Sequence, residues 1–447
     1  MKKFFTTLSN IWKIEDLRVR ITNTLLFLLI YRIGSFVALP GVNVHTLDTE
    51  KAKTGLVGLL NMFAGGSFSR ESIFALGVMP YISASIVMQL LGIAVPYFAK
   101  MQKEGESGRT KINQWTRYLT IAITVPQAVA YLHSQIPADT LLMPYTTFVI
   151  VNTFVLTAST LFVMWLGEKI TDKGIGNGIS LIIMVGIIAT LPSAFMTEFQ
   201  SSVDGRGGLI GFIVELVALI GVVMFTILIV QGTRKIAVQY AKRIVGNKQY
   251  GGVRQYIPLK VTAAGVMPII FAQALMFIPN TIGQFFPGAA SNGILIQLGD
   301  YNSWLHNLVF ALLIIIFTYF YTAITVNTNQ MAEDMKKNNG FIPGVKPGKT
   351  TSDYIDEIIS KITLPGSIFL AIVAIIPALV SQVGVTSLFS RFFGGTSLII
   401  LVQVVLDTLQ QIESHLLMRH YDGLMKTGRI KGRTAIPTAA GTTPTAI

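Results

Sequence analysis

The side chains able to do covalent chemistry are too scattered in this 447-residue chain to form a catalytic set. Its five histidines show no H-E-x-x-H spacing, so a zinc protease site is not indicated. No serine lies in a nucleophile elbow. The absence of cysteine excludes disulfides and thiolate chemistry. We therefore expect no enzyme, no metal and no cofactor.

Two glycine-rich stretches resemble phosphate-binding loops only superficially. Gly174, Gly176 and Gly178 follow no predicted strand, and their spacing is not G-x-G-x-x-G. We interpret them as the opening of a helix, together with Asn177. At 344–350 the first glycine is one residue too close to the Gly-Lys-Thr sequence, and neither a strand nor a following helix is predicted there.

The amino-acid composition accounts for the absence of a catalytic set of the kind that soluble enzymes carry. The chain is 51% hydrophobic and 13% charged, with a mean hydropathy of +0.59, which is typical of a multi-pass membrane protein. Windows of about twenty residues predict ten spanning helices. They lie near 21–40, 72–95, 115–136, 146–167, 178–196, 209–230, 261–280, 305–326, 363–382 and 396–416.

Basic residues fall mostly on one side of this topology. The two termini and the even-numbered connections (2/3, 4/5, 6/7 and 8/9) carry 29 of the 35 Lys and Arg residues. The opposite side carries five, and Arg32 lies within the first span. By the positive-inside rule we expect both termini in the cytoplasm, including an amphipathic segment at 1–20 and a tail at 419–447.

Three ionisable residues lie inside predicted spans: Arg32, Glu215 and Asp407. Intramembrane charges are often functional, as in proton relays. These three lie singly on different spans, which favours structural pairing over a relay.

A short apolar segment, 59–63, lies between the first two spans and is followed by Gly65 and Gly66. It is too short to cross a bilayer, and the glycines allow it to bend. The local sequence favours an interfacial loop. The alternative is a re-entrant segment folded into a protein-lined cavity.

An internal repeat favours that alternative. The stretch GVMPYI at 77–82 recurs as GVMPII at 265–270, early in a span of each half. A proline inside a spanning helix frees a carbonyl, and paired interruptions of this kind indicate a repeat around a central pathway. Each half has five spans, an odd number, so we expect inverted halves at 21–200 and 201–418.

Uncharged polar residues lie on spans that could meet. Ser83, Ser85 and Gln89 are on span 2, Gln127 is on span 3, and Gln273 and Asn280 are on span 7. They suit either ordinary interhelical hydrogen bonds, worth about 0.6 kcal/mol each, or a weak seam between spans that separate. The residues alone leave both interpretations open.

Two predicted cytoplasmic loops, 231–260 and 327–361, are long and basic. The positive-inside rule explains their charge but not their length. We interpret them as protruding docking surfaces for a large anionic partner, such as RNA or an acidic protein patch.

Several of these stretches together resemble the SecY family of protein-conducting channels. The matching sequences are NMFAGGSFSR, ALGVMPYISASIVMQLL, KEGESGR, MWLGEKITDKGIGNGIS, YAKR, PLKVTAAGVMPIIFA, FTYFYTA and FGGTSLII. The resemblance covers nearly the whole chain. It implies an all-α, ten-helix fold of two inverted halves around a pore in the bacterial plasma (inner) membrane. Such a channel passes unfolded polypeptides and releases transmembrane segments sideways into lipid.

The resemblance also implies where the channel is sealed. A plug is expected at about 58–70, comprising Leu60, Asn61, Met62, Phe63, Ala64, Gly65 and Gly66. An apolar pore ring is expected from Val78, Ile82, Ile179, Ile183, Ile270 and Ile400.

It further implies a lateral gate and a docking site. The gate lies between spans 2/3 and 7/8, where we place Ser85, Gln89, Gln127 and Asn280. Docking residues are Lys242, Arg243, Lys346 and Lys349. Lys346 stands where the family usually has arginine, so the bidentate fork is lost. Implied partners are SecE, SecG, the motor ATPase SecA, the ribosome, signal sequences, nascent chains and lipid.

Two rival functions predict different features. A secondary transporter needs converging polar groups at mid-membrane, and an ion channel needs a ring of carbonyls or charges. The repeat positions carry apolar residues instead.

Overall fold

The computed structural model describes Trp12 and residues 14–42, 61–136, 141–203, 208–240, 243–245, 248–250, 254–285, 293–300 and 302–426. Helices dominate these residues. In chain order they are α1 (Glu15–Gly34), α2 (Met79–Ala94), α3 (Pro96–Lys103), α4 (Glu106–Gln135), α5 (Tyr145–Lys173), α6 (Gly178–Val203), α7 (Gly208–Val230), α8 (Met267–Phe285), α9 (Gly293–Gly299), α10 (Trp304–Thr325), α11 (Thr328–Lys337), α12 (Lys349–Val383), α13 (Ser387–Ser390) and α14 (Gly395–Lys426).

Six of the described helices are long and apolar enough to cross a membrane, or seven if the bent pair α2 and α3 counts as one. The pair bends by 103° at Val95, which is extended because Pro96 follows it. Each of the ten predicted spans overlaps one described helix. Helices α1 and α4 carry several charged residues, and α8 contributes only Met267–Met276 as a shorter apolar helix. The chain is therefore a multi-pass helical membrane protein.

The repeated GVMP sequence begins helices rather than interrupting them. Helix α2 begins at Met79, seven residues later than the span predicted from residue 72, and α8 begins at Met267. Each proline is therefore in the first turn, where its missing N–H needs no partner. The preceding glycines take the left-handed conformation, with φ +53° at Gly77 and +66° at Gly265. The expectation that these prolines lie inside spanning helices was wrong.

The start of the chain is more continuous than expected. Glu15 to Arg20 belong to the same helix as the first predicted span, so no break occurs at residue 20. Helix α1 ends at Gly34, before the predicted end at residue 40. The chain then pairs with the stretch before α2: the Leu39 N–H donates to the Glu71 carbonyl at 2.8 Å. The Ile73 N–H donates to the Val37 carbonyl at 2.9 Å.

The two long basic loops fold together instead of protruding separately. The first contains strands β1 (Thr233–Tyr240), β2 (Arg243–Val245), β3 (Lys248–Tyr250) and β4 (Arg254–Lys260). The second contains α11 and the short strand β5 (Gly340–Phe341), which pairs with the end of β1. A shared apolar core joins them, formed by Ile236, Val238, Leu259, Met335, Ile342, Ile355 and Ile359.

The glycine-rich stretches also have definite structures. Asn177 caps α6, because its side-chain oxygen accepts from the Ile179 and Ser180 N–H groups at 3.2 Å each, as predicted. Helix α12 begins at Lys349, directly after Gly348 with φ +106°. The expectation that no helix follows the Gly-Lys-Thr sequence was therefore wrong, although the glycine spacing still differs from a phosphate loop.

Candidate pore constriction and its seal

The six residues expected to form the ring belong to one apolar cluster. Val78, Ile82, Ile183 and Ile400 are buried in it, and Ile179 and Ile270 pack against it partly buried. They come from the turn before α2 and from helices α2, α6, α8 and α14. Sequence positions more than 300 residues apart thus meet at one place. The cluster also contains Met62 and Phe63 from the expected plug.

The space left at the centre is very small. A cavity of about 10 Å³ is lined by Phe63, Met79, Ile82, Ile183, Ile270, Gln273, Thr396 and Ile400. This is close to the minimum space that one water molecule needs. A neck this narrow and this apolar offers an ion nothing in exchange for its hydration shell. If this cavity is the neck of a pore, the pore is closed in this structure.

Two polar residues that the ring prediction did not include also line the cavity. Gln273 is 6% exposed and lies three residues after Ile270, on the same face of α8. Thr396 is in the first turn of α14. The i, i+3 spacing from Ile270 could have identified Gln273. No spacing in the sequence marks Thr396, because only the fold shows which side of its stretch faces the cavity.

The segment expected to be the plug is buried inside the protein. From Met62 to Phe68 every residue is buried, which favours the re-entrant alternative over an interfacial loop. Leu60 lies outside the described residues. The Asn61 side-chain oxygen accepts from the Ser69 N–H at 2.9 Å, and this bond closes the segment into a compact loop. Gly65 and Gly66, with φ of +65° and +85°, make the turn that other residues would resist.

Backbone-to-backbone contact seats this segment on α6. A methyl group placed on Gly186 would lie 2.5 Å from the Phe63 carbonyl oxygen and 3.1 Å from the Gly65 nitrogen. The Tyr131 hydroxyl of α4 donates to the Phe68 carbonyl at 2.8 Å. The segment is therefore held from two sides by contacts that need its own main chain.

Arg32, which the sequence predicts to be intramembrane, also contacts this segment. Its Nη1 donates to the Gly65 carbonyl at 2.7 Å. Its guanidinium carbon lies 4.8 Å from the Phe36 ring centre, and that of Arg70 lies 4.5 Å from the same ring. A charge that the sequence suggested was a structural pairing partner thus binds the expected plug.

Glu71, in the connection between α1 and α2, is in an unusual position. It is 5% exposed, its φ is +49°, and its Oε2 has no hydrogen-bond partner within the described structure. Burial raises the pKa of this carboxyl to about 7. Glu71 therefore holds its proton to a higher pH than an ordinary glutamate.

The remaining intramembrane charges contact other groups. Asp407 Oδ1 lies 3.8 Å from the Lys260 ammonium, with both side chains about half exposed. The Glu215 carboxyl lies near the Glu198 carboxyl of α6. Glu198 also accepts from the Thr386 N–H at 2.8 Å and from the Thr386 hydroxyl. Asp407 is thus paired with a lysine of β4, and Glu198 links α6 to the residue before α13.

The residues expected at the lateral gate are only partly described. Gln89 donates to the Ser85 hydroxyl at 3.4 Å, one turn away on the same helix α2. Gln127 is half-buried on α4, and Asn280 lies on α8, where its side chain is outside the described set. Helix α4 packs extensively against α2 and touches α8 at few points. The α4–α8 seam is thus the thinner of these two contacts.

The expected docking residues lie in or beside the paired basic loops. Lys346 and Lys349 are exposed, at the turn before α12 and at its first residue. Arg243 is in β2, opposite Tyr250, and Lys242 lies outside the described residues. Among the residues that the structure covers, no group of three side chains could hold a metal ion.

Comparison with known sequences places this chain among channel subunits. A family model described as SecY matches residues 72–409. The protein translocase subunit SecY of Streptomyces scabiei is 42% identical over 440 residues, covering 94% of this chain and 100% of the relative. That of Halalkalibacterium halodurans is 44% identical over 447 residues, with the same two coverages.

Two solved structures share the fold. One, described as the structure of a protein conducting channel, has a TM-score of 0.64 at 18% identity and covers 93% of this chain and 95% of its own. The other is Sec61 in the canine ribosome–channel complex from the endoplasmic reticulum, with a TM-score of 0.60, the same identity and the same coverages. At this identity the likeness establishes the fold.

Proposed function

The chain belongs to the SecY family, and from this premise we propose that it is the channel-forming subunit of a bacterial protein translocase. It passes unfolded polypeptides across the plasma (inner) membrane and releases apolar segments sideways into lipid. The observation that carries the proposal is the closed apolar constriction, to which the two GVMP copies contribute Ile82 and Ile270. It suits a gate better than a transporter site, because its lining offers few groups that could bind a polar solute.

The gate works through contacts that have no direction. Apolar side chains close around a gap of about 10 Å³ and exclude ions at rest. They yield to a passing chain because they form no specific hydrogen bonds that must break. The plug, residues 58–70, fills the pathway beside them, and Phe63 is its contribution to the constriction. No covalent step is needed, so we expect the chain not to be an enzyme.

The proposed architecture is ten spanning helices in two inverted halves, with both termini in the cytoplasm. The basic-residue asymmetry supports the orientation. The matching glycine φ values and helix starts at the two GVMP copies support the repeat. Lateral release would use the seam of α2 and α4 against α8 and α10, near Ser85, Gln89, Gln127 and Asn280. The thin α4–α8 contact favours this seam.

The proposed partners follow from the basic layer and from the family. SecA or the ribosome would dock on the joined loops through Lys242, Arg243, Lys346 and Lys349. Pairing of β1 with β5 supports one shared surface, because it brings the two loops together. SecE and SecG would be the small membrane subunits. Signal sequences and nascent polypeptides would be the cargo.

The test is transport by the purified chain reconstituted with SecE and SecG in vesicles. SecA and ATP should drive an unfolded preprotein into a protease-protected lumen. Arg243→Glu should reduce this transport strongly while the protein stays folded, because surface charge changes usually alter stability by less than about 0.5 kcal/mol. Lys111→Glu is the matched control, an exposed basic residue on the same predicted face but outside both loops. Absence of transport by the unaltered chain would refute the proposal.

Orientation has its own test. The chain has no cysteine, so Lys248→Cys supplies a single thiol within the first basic loop. We expect an impermeant maleimide to leave this thiol unlabelled in intact cells and to label it after the membrane is opened. Labelling in intact cells would show that the loop is external.

A further inference from the structure

Arg32 is a charged residue in helix α1. Its shortest described hydrogen bond is to a backbone carbonyl of the plug. Its Nη1 lies 2.7 Å from the Gly65 oxygen and 3.4 Å from the Ser35 hydroxyl. Ser35 in turn donates to the Arg32 carbonyl at 2.6 Å. Because the acceptor is main chain, the bond depends on where the plug backbone lies.

The approach of Arg32 to Gly65 requires two bare glycines. A methyl group on Gly65 would lie 3.0 Å from Arg32 Nη1 and 3.1 Å from the Gly186 Cα. A methyl group on Gly186 would meet the Phe63 carbonyl oxygen at 2.5 Å. These distances are shorter than normal carbon contacts, so the seat is closed to any side chain. Gly186 on α6 and Arg32 on α1 thus hold the same turn of the plug.

The environment of Arg32 also tolerates release of the plug. The guanidinium lies 4.8 Å from the Phe36 ring centre and near Ser35. Both residues are close to Arg32 in the chain and lie outside the plug. A cation over an aromatic face remains stabilised when its hydrogen-bond acceptor leaves. The charge is therefore not stranded when the plug moves, and the energy difference between the two states stays modest.

We propose that Arg32 and Gly186 form a latch that sets how often the plug leaves its seat. Arg32 is a positioning residue that acts through the Gly65 carbonyl, and Gly186 provides the space for it. This inference rests on the proposed function, in which residues 58–70 block the pathway. Loss of one charge-assisted hydrogen bond should shift the ratio of seated to unseated plug by roughly tenfold to a hundredfold.

The reporter is a single thiol inside the seated plug. Ser67 is fully buried, and Ser67→Cys changes one atom of the side chain. The full chain, purified with its membrane partners and reconstituted, is treated with a water-soluble maleimide. The labelling rate then measures how often the plug is unseated, a quantity that a merely structural role for Arg32 would not change selectively.

Two test variants remove the latch by different means. Arg32→Gln removes the guanidinium, and Gly186→Ala adds one methyl group to the seat. Alanine is a better helix former than glycine, so Gly186→Ala should not weaken α6 itself. We expect both to raise the labelling rate at least tenfold, with little change in the melting temperature for Gly186→Ala.

Two control variants make the same chemical changes elsewhere. Arg20→Gln removes a guanidinium from the same helix α1, but one whose Nη1 donates to the Gly174 carbonyl at 3.4 Å and not to Gly65. Gly221→Ala adds a methyl group on α7, where nothing lies within 4 Å. Both should stay within about twofold of the parent. The latch is refuted if neither test variant changes the rate, or if the controls accelerate it equally.

These outcomes are separable from failure of the proposed function. The labelling rate is measured without any preprotein, so it reports the latch even if the chain transports nothing. Conversely, normal preprotein transport combined with unchanged labelling in both test variants would leave the channel assignment intact and overturn only the latch.

Discussion

The two GVMP copies have nearly the same sequence and the same local structure, yet they lie in different surroundings. In both, a left-handed glycine precedes a helix whose first turn contains proline, and an isoleucine lines the constriction. Before the first copy lies the segment 61–72, which is buried from Met62 to Phe68 and tied to the stretch after α1. Before the second lies strand β4, which pairs antiparallel with β1. In the proposed channel, the repeat would supply the gate in both halves, while the preceding segment would make one half the seal and the other the docking side.

The largest expected effect comes from removing what the two copies share. Replacing Ile82 and Ile270 together with serine should let the resting channel leak ions, because both side chains line the same 10 Å³ gap. Adding Ile183→Ser and Ile400→Ser should increase the leak. Conductance in planar bilayers measures it, beside a melting curve for each variant.

A matched control exists on the same two helices. Ile93 on α2 and Leu275 on α8 are 48% and 39% exposed, and neither lines the cavity. The double variant Ile93→Ser, Leu275→Ser should stay ion-tight. A ring variant that melts earlier but does not leak would show that the isoleucines serve only as packing.

The next largest effect comes from the two left-handed glycines that precede the repeat helices, Gly77 and Gly265. Alanine in the left-handed region costs roughly 1–2 kcal/mol, so Gly77→Ala and Gly265→Ala should each lower stability by about that amount. A methyl group on Gly77 would meet Ala64 Cβ at 3.9 Å, an ordinary contact. On Gly265 it would meet Gln403 Nε2 at 2.9 Å, the movable end of a flexible side chain. We therefore expect similar losses from the two variants.

Asparagine sharpens this comparison, since it tolerates the left-handed region better than alanine. Gly77→Asn and Gly265→Asn should each melt at a higher temperature than the matching alanine variant. Equal melting of the alanine and asparagine variants would mean that backbone conformation is not the reason for glycine at these positions.

Sequence reasoning reached the helices better than their ends. Each of the ten apolar runs overlaps one described helix, because a bilayer core sets the length of a spanning segment. Asn177 was recognised as a helix start because its side chain acts within three residues. The same reasoning misplaced Pro80 and Pro268, since the glycine conformation that starts the helix before each proline is not visible in hydropathy.

Long-range contacts account for the rest. The pairing of β1 with β5 joins residues about 100 positions apart, and no local pattern marks the two-residue strand Gly340–Phe341. Arg32 is recognisable as an intramembrane charge, but its partner is a carbonyl, and carbonyls have no sequence signal. Gln273 is the exception, because its spacing from Ile270 marks it as a residue on the face towards the cavity.

The smallest expected effect concerns a feature of the first copy alone. Glu71 lies just before GVMP, buried, with its pKa raised to about 7 by that burial. When the plug leaves and water reaches this carboxyl, its pKa should fall towards the ordinary value near 4.3. The seated state therefore binds the proton more tightly than the unseated state. Seating is then strongest below about pH 4.3, weakens as pH rises through about 7, and changes little above that.

Other charged groups near Glu71 set the limits of this effect. Arg70 is its chain neighbour, and Tyr131 of α4 lies against it with its hydroxyl on the Phe68 carbonyl. Both keep their charge state between about pH 5.5 and 8, because arginine and tyrosine titrate well above that range. The pH dependence in this window should therefore come from the carboxyl of Glu71.

Glu71→Gln tests this because an amide copies the protonated carboxyl in size and cannot ionise. Ala64→Cys serves as the reporter, since Ala64 is 4% exposed and lies seven positions from Glu71 in the chain. Dividing the labelling rate of the reporter chain that keeps Glu71 by the rate of the same chain carrying Glu71→Gln cancels the pH dependence of the thiol itself. This ratio should rise from about pH 5.5 to about pH 7 and level off by about pH 8, because only the chain that keeps the carboxyl gains a buried charge that unseating relieves. A ratio that is constant across this range would mean that the surroundings of Glu71 are the same in both plug positions, either buried or solvated. The difference between the two GVMP copies would then have no effect on pH dependence.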